Sequence, residues 1–208
     1  MKSKLINISD FEPEQQINSI DSKIVASLER ISQAFRVLLC QESKEFTLSP
    51  IQIQVLIFLL HHSPEKRKVS YLADEFNLTK ATISDSVKIL EEKRFITKEY
   101  DANDSRSYMI HLTKKGKDIA AKAGFFTKEI RQPIINLNQD NKENLLLSLL
   151  GVISHLNQAG VITVQRMCKS CAYYRPSVNG QTHFCNLLNQ PLRDIDLRID
   201  CPEHQLKI

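Results

Sequence analysis

The stretch TKATISDSVKILEEKRFITKEY, residues 79–100, decides the fold of this chain because its hydrophobic period changes within it. Over residues 80–95 the apolar side chains recur every three or four positions, as they do on one face of a helix. ITKEY, residues 96–100, then alternates with the two-residue period of a strand. A short helical segment, VSYLADEFN at 69–77, comes before. Together these segments predict a helix-turn-helix that leads into a β-hairpin.

The hairpin and the helix before it have the features of a DNA reader. SYMIHLT (107–113) completes the hairpin, and the polar turn DANDSR (101–106) joins its strands. The helix carries an apolar stripe of Ile83, Val87 and Leu90. Its polar residues Lys80, Thr82, Ser86 and Lys88 are expected to lie away from that stripe. Such a helix fits a major groove about 12 Å wide, so the segment predicts a winged helix that binds double-stranded DNA.

Helical periodicity precedes the winged helix. Residues 1–20 form a polar arm, and from 21 to about 46 apolar residues recur every three or four positions. Ser49 and Pro50 then provide an N-cap with proline at the first helical position, where no N–H is needed. The apolar run IQIQVLIFLLHH that follows predicts a buried helix.

Two further helices are predicted after the hairpin. Residues 114–137 have a helical pattern that is expected to bend or end near Pro133. Residues 137–158 form another amphipathic pattern, opened by Asn138 or Asp140. The chain from 21 to 158 is therefore mainly α-helical with one small β-wing.

The order of these elements and three stretches of sequence resemble the MarR family (multiple-antibiotic-resistance regulators). The stretches are LSPIQIQVLIFL, TKATISDSVKILEEKRFITKEY and the wing segment DANDSRSYMIHLTKKG. In that family an Asp-x-x-Asp-x-Arg pattern precedes a strand that ends in Leu-Thr-x-x-Gly. The matching positions here are Asp101, Asp104, Arg106, Leu112, Thr113 and Gly116. The resemblance covers residues 21–158, about two-thirds of the chain.

The resemblance implies how the chain would bind DNA. It implies a symmetric homodimer held by the first helix and the last two, with each recognition helix in a major groove. The contacts carried over to that helix are Lys80, Thr82, Ser84 and Lys88. Arg106 would reach the minor groove, braced by Asp101 or Asp104. The alternative for each side chain is a solvated polar face. The family also implies a small-molecule effector, bound between the dimer helices and the winged domain.

Two positions depart from the family pattern. Arg94 stands at the end of the recognition helix, where the family usually has glycine because that residue adopts the left-handed conformation most cheaply. Asp85 stands where the family commonly has arginine. Its carboxylate repels phosphate but can accept a hydrogen bond from a cytosine amino group. Either Asp85 contacts an unusual DNA target, or it faces inward to a partner.

The charge of the predicted DNA-binding region favours modest, salt-sensitive binding. The whole chain carries a net charge of +4, and residues 65–117 hold twelve basic against nine acidic side chains, a net +3. A small positive excess neutralises few phosphates, so the affinity falls as salt rises.

Four of the five cysteines lie in the last 41 residues, with the spacing C-x2-C-x13-C-x15-C. They are Cys168, Cys171, Cys185 and Cys201. A C-x2-C pair brings two thiolates to one metal, and two later cysteines complete a tetrahedron. A segment this short, with few large apolar side chains, needs such a staple to fold. The pattern predicts a metal site, with two disulfides or four free thiols as alternatives.

The sequence favours zinc as this metal, in a structural role, because four thiolates with this opening spacing are typical of zinc sites. A [4Fe–4S] cluster is the alternative. The spacing is also similar to that of high-potential iron–sulfur proteins, in which an aromatic residue follows the first cysteine pair as Tyr173 and Tyr174 do here. Cys201-Pro202 resembles ferredoxin ligation, whereas the lack of tryptophan argues against a cluster.

Three other residues with metal-binding or reactive side chains are given structural roles. His183 and His204 are expected at the surface or beside a ligand, since four cysteines already complete the site. Cys40 is expected to be a small buried residue late in the first long helix.

Composition limits the class of protein. With 42% hydrophobic and 25% charged residues, and no apolar run long enough for a signal peptide or a membrane span, a cytoplasmic protein without membrane contact is expected. No nucleotide loop, flavin or nicotinamide signature or acid–base constellation is present, so no catalytic residue and no enzyme activity are predicted. The predicted function is a sequence-specific DNA-binding regulator, most simply a repressor. The alternatives are an iron–sulfur redox or electron-transfer protein and a metal-stabilised protein-interaction module.

The sequence thus predicts three regions. Residues 1–20 are a polar arm, residues 21–158 are a winged-helix domain with N- and C-terminal dimerisation helices, and residues 159–208 are a small metal-tied segment, called here the cysteine module.

Overall fold

The computed structural model describes residues 9–100, 107–177 and 182–207. Its helices are α1 (Pro13–Asn18), α2 (Ile20–Phe46), α3 (Pro50–His61), α4 (Val69–Glu75), α5 (Lys80–Glu92), α6 (Lys114–Ala123), α7 (Lys128–Ile135) and α8 (Gln139–Gln158). Its strands are β1 (Ile96–Tyr100), β2 (Tyr108–Leu112), β3 (Tyr174–Arg175), β4 (His183–Cys185) and β5 (Gln190–Leu192). The predicted class, mainly helical with a small antiparallel sheet, is confirmed. No described helix has both the length and the apolar character to span a membrane.

Side-chain caps fix where the main helices begin. The Ser49 hydroxyl accepts the Gln52 N–H while the Gln52 side chain accepts the Ser49 N–H, so a capping box opens α3 as the Ser49-Pro50 pair predicts. Asn138 accepts the backbone N–H of Asn141 at 2.9 Å and opens α8. The predicted starts of both helices are confirmed.

The wing is anchored to the end of the recognition helix by the Leu-Thr-x-x-Gly segment. β1 and β2 pair antiparallel, and Ile96 lies opposite Leu112. Thr113 caps α6 by accepting the Gly116 N–H at 3.1 Å, and its hydroxyl lies 3.1 Å from the Phe95 carbonyl oxygen. Gly116 packs so closely that an added Cβ would lie 1.9 Å from that same oxygen. Only glycine fits there without moving the backbone.

The main core joins the winged helix to α2, α3 and α6. Among the described residues it contains seventeen buried apolar side chains, including the fully buried Ile53, Leu56, Ile83 and Ile110. The stripe predicted on α5 faces this core, because Ile83, Val87 and Leu90 each have no exposed surface. The orientation of the recognition helix is therefore set by burial of its apolar face.

The helix predicted over residues 114–137 is interrupted earlier than expected. A 3-10 turn at Gly124–Thr127 separates α6 from α7, and it brings Phe126 edge-on to Phe35 of α2 with ring centroids 6.2 Å apart. Pro133 lies inside α7, which ends two residues later at Ile135, so the expected end near Pro133 is confirmed.

Much of the long helix α2 is not covered by the core. Of its predicted stripe only Leu39 is buried, whereas Ile24, Ile31 and Phe35 are exposed by 52%, 46% and 37%. Exposed apolar residues also occur on α1, α7 and α8: Ile17, Ile134, Ile135, Leu145 and Val152. The helices that the family resemblance assigns to the dimer therefore carry uncovered apolar side chains.

The cysteine module packs on α8 through a second, smaller core. Leu150 of α8 is buried together with Met167, Leu192 and Leu197 of the module. Strands β3, β4 and β5 form a three-stranded antiparallel sheet with β4 in the centre. The module is thus attached to the helical domain as well as to its own short sheet.

Candidate nucleic-acid interface and cysteine cavity

The exposed face of α5 carries most of the residues predicted to contact DNA. Thr79 caps the helix by accepting the Thr82 N–H at 3.1 Å, and the Thr79 and Thr82 hydroxyl oxygens lie 2.8 Å apart. The predicted contacts Lys80, Thr82, Asp85 and Lys88 are exposed, and Ser84 is half-buried. The opposite face is buried, so α5 presents one polar surface.

Ser86 was expected on the polar surface, and that expectation is wrong. The residue is 6% exposed, and its hydroxyl donates to the Thr82 carbonyl oxygen at 2.9 Å. A small hydroxyl that bonds its own helix backbone can be buried beside an apolar stripe, so its polarity did not indicate exposure.

Asp85 faces outward. It is exposed, and its carboxylate makes no hydrogen bond or ion pair to a residue in the described ranges. This exposure favours the alternative in which the carboxylate faces DNA, and its place among the predicted DNA contacts stays a prediction.

Arg94 adopts the left-handed conformation that the family pattern implies for this position. Its φ is 60°, and its N–H donates to the Glu91 carbonyl oxygen at 2.8 Å. Phe95 N–H then donates to the Leu90 carbonyl oxygen at 2.9 Å, which closes the helix end. A residue with a Cβ is strained in this region by about 1 kcal/mol relative to glycine.

A groove beside α5 extends the candidate interface. Its polar lining residues are Lys68 and Ser70 at the start of α4, Lys80 and Ser84 of α5, and Ser107 before β2. Lys68 and Ser107 were missed because neither lies on the recognition helix. The signal was the basic run KRK at 66–68, just before a helix-turn-helix.

The root of the wing is held against α5. Lys98 of β1 makes an ion pair with Glu91 at 2.6 Å and lies over the Tyr108 ring, 4.9 Å from its centroid. The predicted minor-groove residue Arg106 and its bracing residues Asp101 and Asp104 lie outside the described residues. Their roles stay predictions.

The four clustered cysteines line one cavity, which is partly open to solvent. Its other apolar lining includes Tyr173, Tyr174, Leu187, Leu188 and Leu192. Within the described residues no three Cys, His, Asp or Glu side chains converge closely enough to hold a single ion. The metal site that the cysteine spacing predicts stays a prediction.

Hydrogen bonds and charge act on these thiols together. The Arg198 N–H donates to Cys168 Sγ at 3.2 Å, and the Arg198 guanidinium donates to Cys201 Sγ at 3.5 Å. Burial raises the pKa of the Cys168 thiol above its usual value, the Arg198 N–H lowers it, and the other three cysteine charges raise it. Cys168 thus interacts electrostatically with all three other thiols.

His183 and His204 do not line this cavity. His183 Nδ1 lies 2.7 Å from the Tyr174 hydroxyl, and its Nε2 lies 2.9 Å from Asp194. His204 Nε2 lies 3.0 Å from the Ser170 hydroxyl. Both histidines thus bond to neighbours of the cysteines and support the surrounding loops.

Cys40 was expected to be buried, and that expectation is wrong. The thiol is exposed on α2. Its neighbours Leu38 and Leu39 suggested burial, but only Leu39 points into the core. The exposed thiol lies in the same helix as the uncovered apolar residues.

Arg166 joins the cysteine module to the helix-turn-helix and was not identified from the sequence. Its guanidinium bonds both carboxylate oxygens of Glu75 on α4, at 2.6 and 3.1 Å, and Asp200 of the module at 2.5 and 3.2 Å. It also donates to the Tyr71 hydroxyl at 2.9 Å, and His62 Nε2 lies 2.8 Å from Asp200. We call these five residues the Arg166 cluster. A lone arginine in a loop gives no sequence signal for such a role.

The charges in the Arg166 cluster stabilise one another. Burial alone would raise the pKa of Asp200, but hydrogen bonds from Arg166 and His62, together with their charges, lower it to about 2. Burial lowers the pKa of Arg166, and the bonds to Glu75 and Asp200 outweigh it and raise this pKa above its ordinary value. Arg166 and Asp200 are therefore both charged at neutral pH.

Comparison with known proteins agrees with this arrangement. The sequence profile of the MarR family matches residues 46–107, the segment from the end of α2 to the start of β2. The chain is 26% identical over 110 residues to the HTH-type transcriptional regulator YkoM of Bacillus subtilis, which covers 52% of this chain and 70% of that protein. It is 23% identical over 99 residues to the HTH-type transcriptional regulator SarZ of Staphylococcus epidermidis, covering 48% of this chain and 66% of that protein.

Solved structures show the same fold. The S. aureus MepR–DNA complex is similar with a TM-score of 0.55 and 23% identity, over 64% of this chain and 97% of MepR. S. aureus MepR in its DNA-binding conformation also gives a TM-score of 0.55, over 98% of its chain. The two curated relatives are both named as HTH-type transcriptional regulators. The winged-helix segment of this chain is therefore similar to the MarR family over residues 46–107, and its fold is similar to that of MepR.

Proposed function

We propose that this chain binds double-stranded DNA sequence-specifically as a homodimer and acts as a transcriptional repressor. The observation that carries the proposal is the exposed polar face of α5 beside the groove that Lys68 and Lys80 line. When α5 enters a major groove, its side chains meet base edges while these two ammonium groups meet the flanking phosphates.

A relative with the same fold supports this use of the surface. The S. aureus MepR structure that matches most of the winged-helix domain is a complex with DNA. This chain has the same fold and carries lysines around α5. The same elements are therefore available to bind a duplex.

The exposed apolar residues support dimerisation. Ile24, Ile31 and Phe35 on α2, and Ile135 on α7, expose 37% to 52% of their surface. Burying such side chains against a second copy contributes roughly 1.5–3 kcal/mol for each one fully removed from water. Two recognition helices in one dimer would then read two half-sites about one helical turn apart.

Selection of duplexes from a randomised pool tests the DNA-binding proposal directly. The wild-type chain should enrich a sequence with two related half-sites. Lys80→Ala and Thr82→Ala should alter the base preference within a half-site, whereas Lys68→Ala should weaken binding to all sequences alike and reduce the salt dependence by about one unit of slope. Lys122→Ala, a change of an exposed lysine late in α6, is the matched control and should bind as the wild type does. No enrichment by the folded wild-type chain would contradict the proposal.

The wing has its own test. Arg106→Ala should lower affinity for all selected duplexes to a similar extent, because a minor-groove arginine reads little sequence. Unchanged binding would remove the wing arginine from the interface and leave the α5 assignment standing.

Sedimentation analysis of Ile24→Glu tests the dimer. Introduction of a carboxylate into the apolar face of α2 should shift the protein from dimer to monomer, because a charge buried there would lack a partner. Lys23→Glu, at the neighbouring exposed position, serves as the control for charge alone. If both variants sediment like a dimeric wild type, α2 is not the dimer helix.

Repression is tested with a reporter gene. A selected site placed within a promoter should give lower expression when the chain is present, because a bound dimer occludes the polymerase. Expression that rises instead would make the chain an activator.

A further inference from the structure

The cysteine cavity lies in the cysteine module, outside the winged helix that is proposed to contact DNA. We propose that its four thiolates ligate a [4Fe–4S] cluster, and that Arg166 transmits the presence of this cluster to α4. The second part rests on the proposed DNA-binding function, whereas the first part stands without it.

The donor set of the cavity suits a cluster. Four cysteines line one space, and four thiolates are the ligands that a [4Fe–4S] cluster requires. Zinc takes the same four ligands, at about 2.3 Å. Two features of the surroundings, an apolar lining and donors aimed at sulfur, favour the cluster over zinc.

The lining of the cavity also suits a cluster. Two tyrosines and three leucines line the cavity beside the cysteines, together with Asp196, Arg198 and Glu203, so a bound group would be shielded from water on several sides. Burial and the hydrophobic shell are among the properties by which a protein stabilises such a cofactor.

Hydrogen bonds to two of the sulfurs offset part of the negative charge of the bound state. Four thiols lose four protons when they bind, and with a cluster core of charge 2+ the complex carries a net 2−. The Arg198 N–H and guanidinium already donate to Cys168 and Cys201. Donors aimed at cysteine sulfur are expected where the sulfur is a thiolate that ligates a metal.

Backbone hydrogen bonds connect the cavity to the Arg166 cluster. The Cys201 N–H donates to the Arg166 carbonyl oxygen at 2.9 Å, and the Cys168 N–H donates to the Arg198 carbonyl oxygen at 3.0 Å. Asp200 accepts a hydrogen bond from the Arg166 guanidinium, and it directly precedes Cys201, a proposed cluster ligand. A cluster that holds Cys201 therefore also holds Asp200 in place.

The other side of Arg166 acts on the helix-turn-helix. Its bonds to Glu75 and Tyr71 fix α4, which packs against the recognition helix α5. Thr163 adds a bond from its hydroxyl to the Asp74 carbonyl oxygen at 2.7 Å. With the cluster present, α4 is held against the module and α5 is preorganised for DNA. Without it, Cys201 has no metal to bind and residues 198–201 are held less firmly. The contacts of Arg166 with α4 then weaken.

Metal analysis of wild-type protein purified without oxygen tests the cluster. We expect about four irons and four acid-labile sulfides per chain, with broad visible absorption. Cys185→Ser should lose iron, whereas Cys40→Ser, which changes the exposed cysteine outside the cavity, should retain it. One zinc per chain with no iron, or neither metal, would overturn the cluster assignment.

DNA affinity of the same preparation, before and after the cluster is removed with a chelator, tests the coupling. A duplex selected by the loaded wild-type protein is the probe. The loaded protein should bind it roughly tenfold more tightly, within the usual range of coupling between two sites. Helical circular dichroism is recorded in both states. If the helical signal disappears when the cluster is removed, the protein has unfolded globally. That result would overturn transmission through Arg166.

Variants of the Arg166 cluster separate transmission from simple stability. Arg166→Met should keep its iron and bind DNA equally well in the loaded and stripped states. Glu75→Gln, which removes only the charge on α4, provides the same test if Arg166→Met does not fold. The transmission step would be overturned if a folded variant still bound DNA tenfold more tightly in the loaded than in the stripped state. It would also be overturned if loaded and stripped wild type bound DNA equally well. No DNA binding by loaded protein would contradict the proposed function and leave the iron result standing.

Discussion

The winged-helix domain and the cysteine module differ in what holds them together. In the described residues the domain buries seventeen apolar side chains in one cluster, whereas the core shared by the module and α8 buries four. At about 25 cal/mol per Å² of apolar surface, the larger core can support a domain, while a segment of about 50 residues needs an additional staple. The domain is thus specified by packing, and the module depends on its cysteines and on what it is packed against.

The largest expected effect concerns the densely packed side of this comparison. Gly116→Ala should destabilise the domain by about 3 kcal/mol, because the new Cβ would meet the Phe95 backbone and force it to move. Urea denaturation measures the loss. Gly124→Ala, where an added Cβ meets nothing within 4 Å, should change stability by less than about 0.5 kcal/mol. Equal midpoints for the two variants would show that the domain is not tightly packed here.

The next effect concerns the small core under the module. Leu150→Ala should lower stability by about 2.5 kcal/mol, because a side chain that is 1% exposed leaves a cavity. Since this core is separate, the loss should be local: limited proteolysis should cut residues 159–208 sooner while the winged helix stays protected. Leu145→Ala, at a 40% exposed position of the same helix, should leave the cleavage rate unchanged. Cooperative loss of both regions would mean that they fold as one unit.

A smaller gain is expected at the end of the recognition helix. Arg94→Gly should stabilise the domain by about 1 kcal/mol, because glycine adopts a φ of 60° without strain. Glu92→Gly, two residues earlier in a regular helical conformation, should destabilise it by a similar amount. Thermal unfolding should show a higher melting temperature for Arg94→Gly and a lower one for Glu92→Gly if the left-handed conformation explains the family's preference for glycine.

The smallest effect concerns binding. Asp85→Asn should strengthen binding to DNA about threefold at low salt, and less at high salt, because an exposed carboxylate repels phosphates through a screened field. Asp118→Asn, which removes an exposed charge on α6, is the control. Weaker binding with a changed base preference would instead indicate that Asp85 accepts a hydrogen bond from cytosine.

Much of the winged helix could be predicted from sequence because its signals are local. The period change at residue 95, the N-caps at Ser49 and Asn138 and the Leu-Thr-x-x-Gly segment each act within a few residues. Ser86 and Cys40 were misplaced for a related reason: residue type and immediate neighbours suggested exposure or burial, but the rotation of each helix against its partners decides it.

The Arg166 cluster and the shape of the cysteine cavity could not be predicted. Arg166 lies 91 residues from Glu75 and 34 from Asp200, so nothing in the sequence near it indicates the ion pairs. The cysteine spacing predicted a metal site; the four cysteines do line one cavity, and the metal itself stays a prediction. The spacing did not indicate which other side chains line that cavity, because this depends on how the loops between the cysteines fold.

The uncovered apolar side chains of α2 have a consequence for how the regulator responds to its own abundance. If the dimer dissociates and most copies are monomers, the concentration of dimer varies with the square of the copy number, and the melting temperature rises as the protein is concentrated. A twofold change in synthesis would then change the dimer concentration by about fourfold in the dilute limit. Because the exposed residues of α2 would form the dimer contact, the occupancy of DNA would rise more steeply than the copy number of the chain. The chain would then occupy its DNA mainly above a threshold copy number.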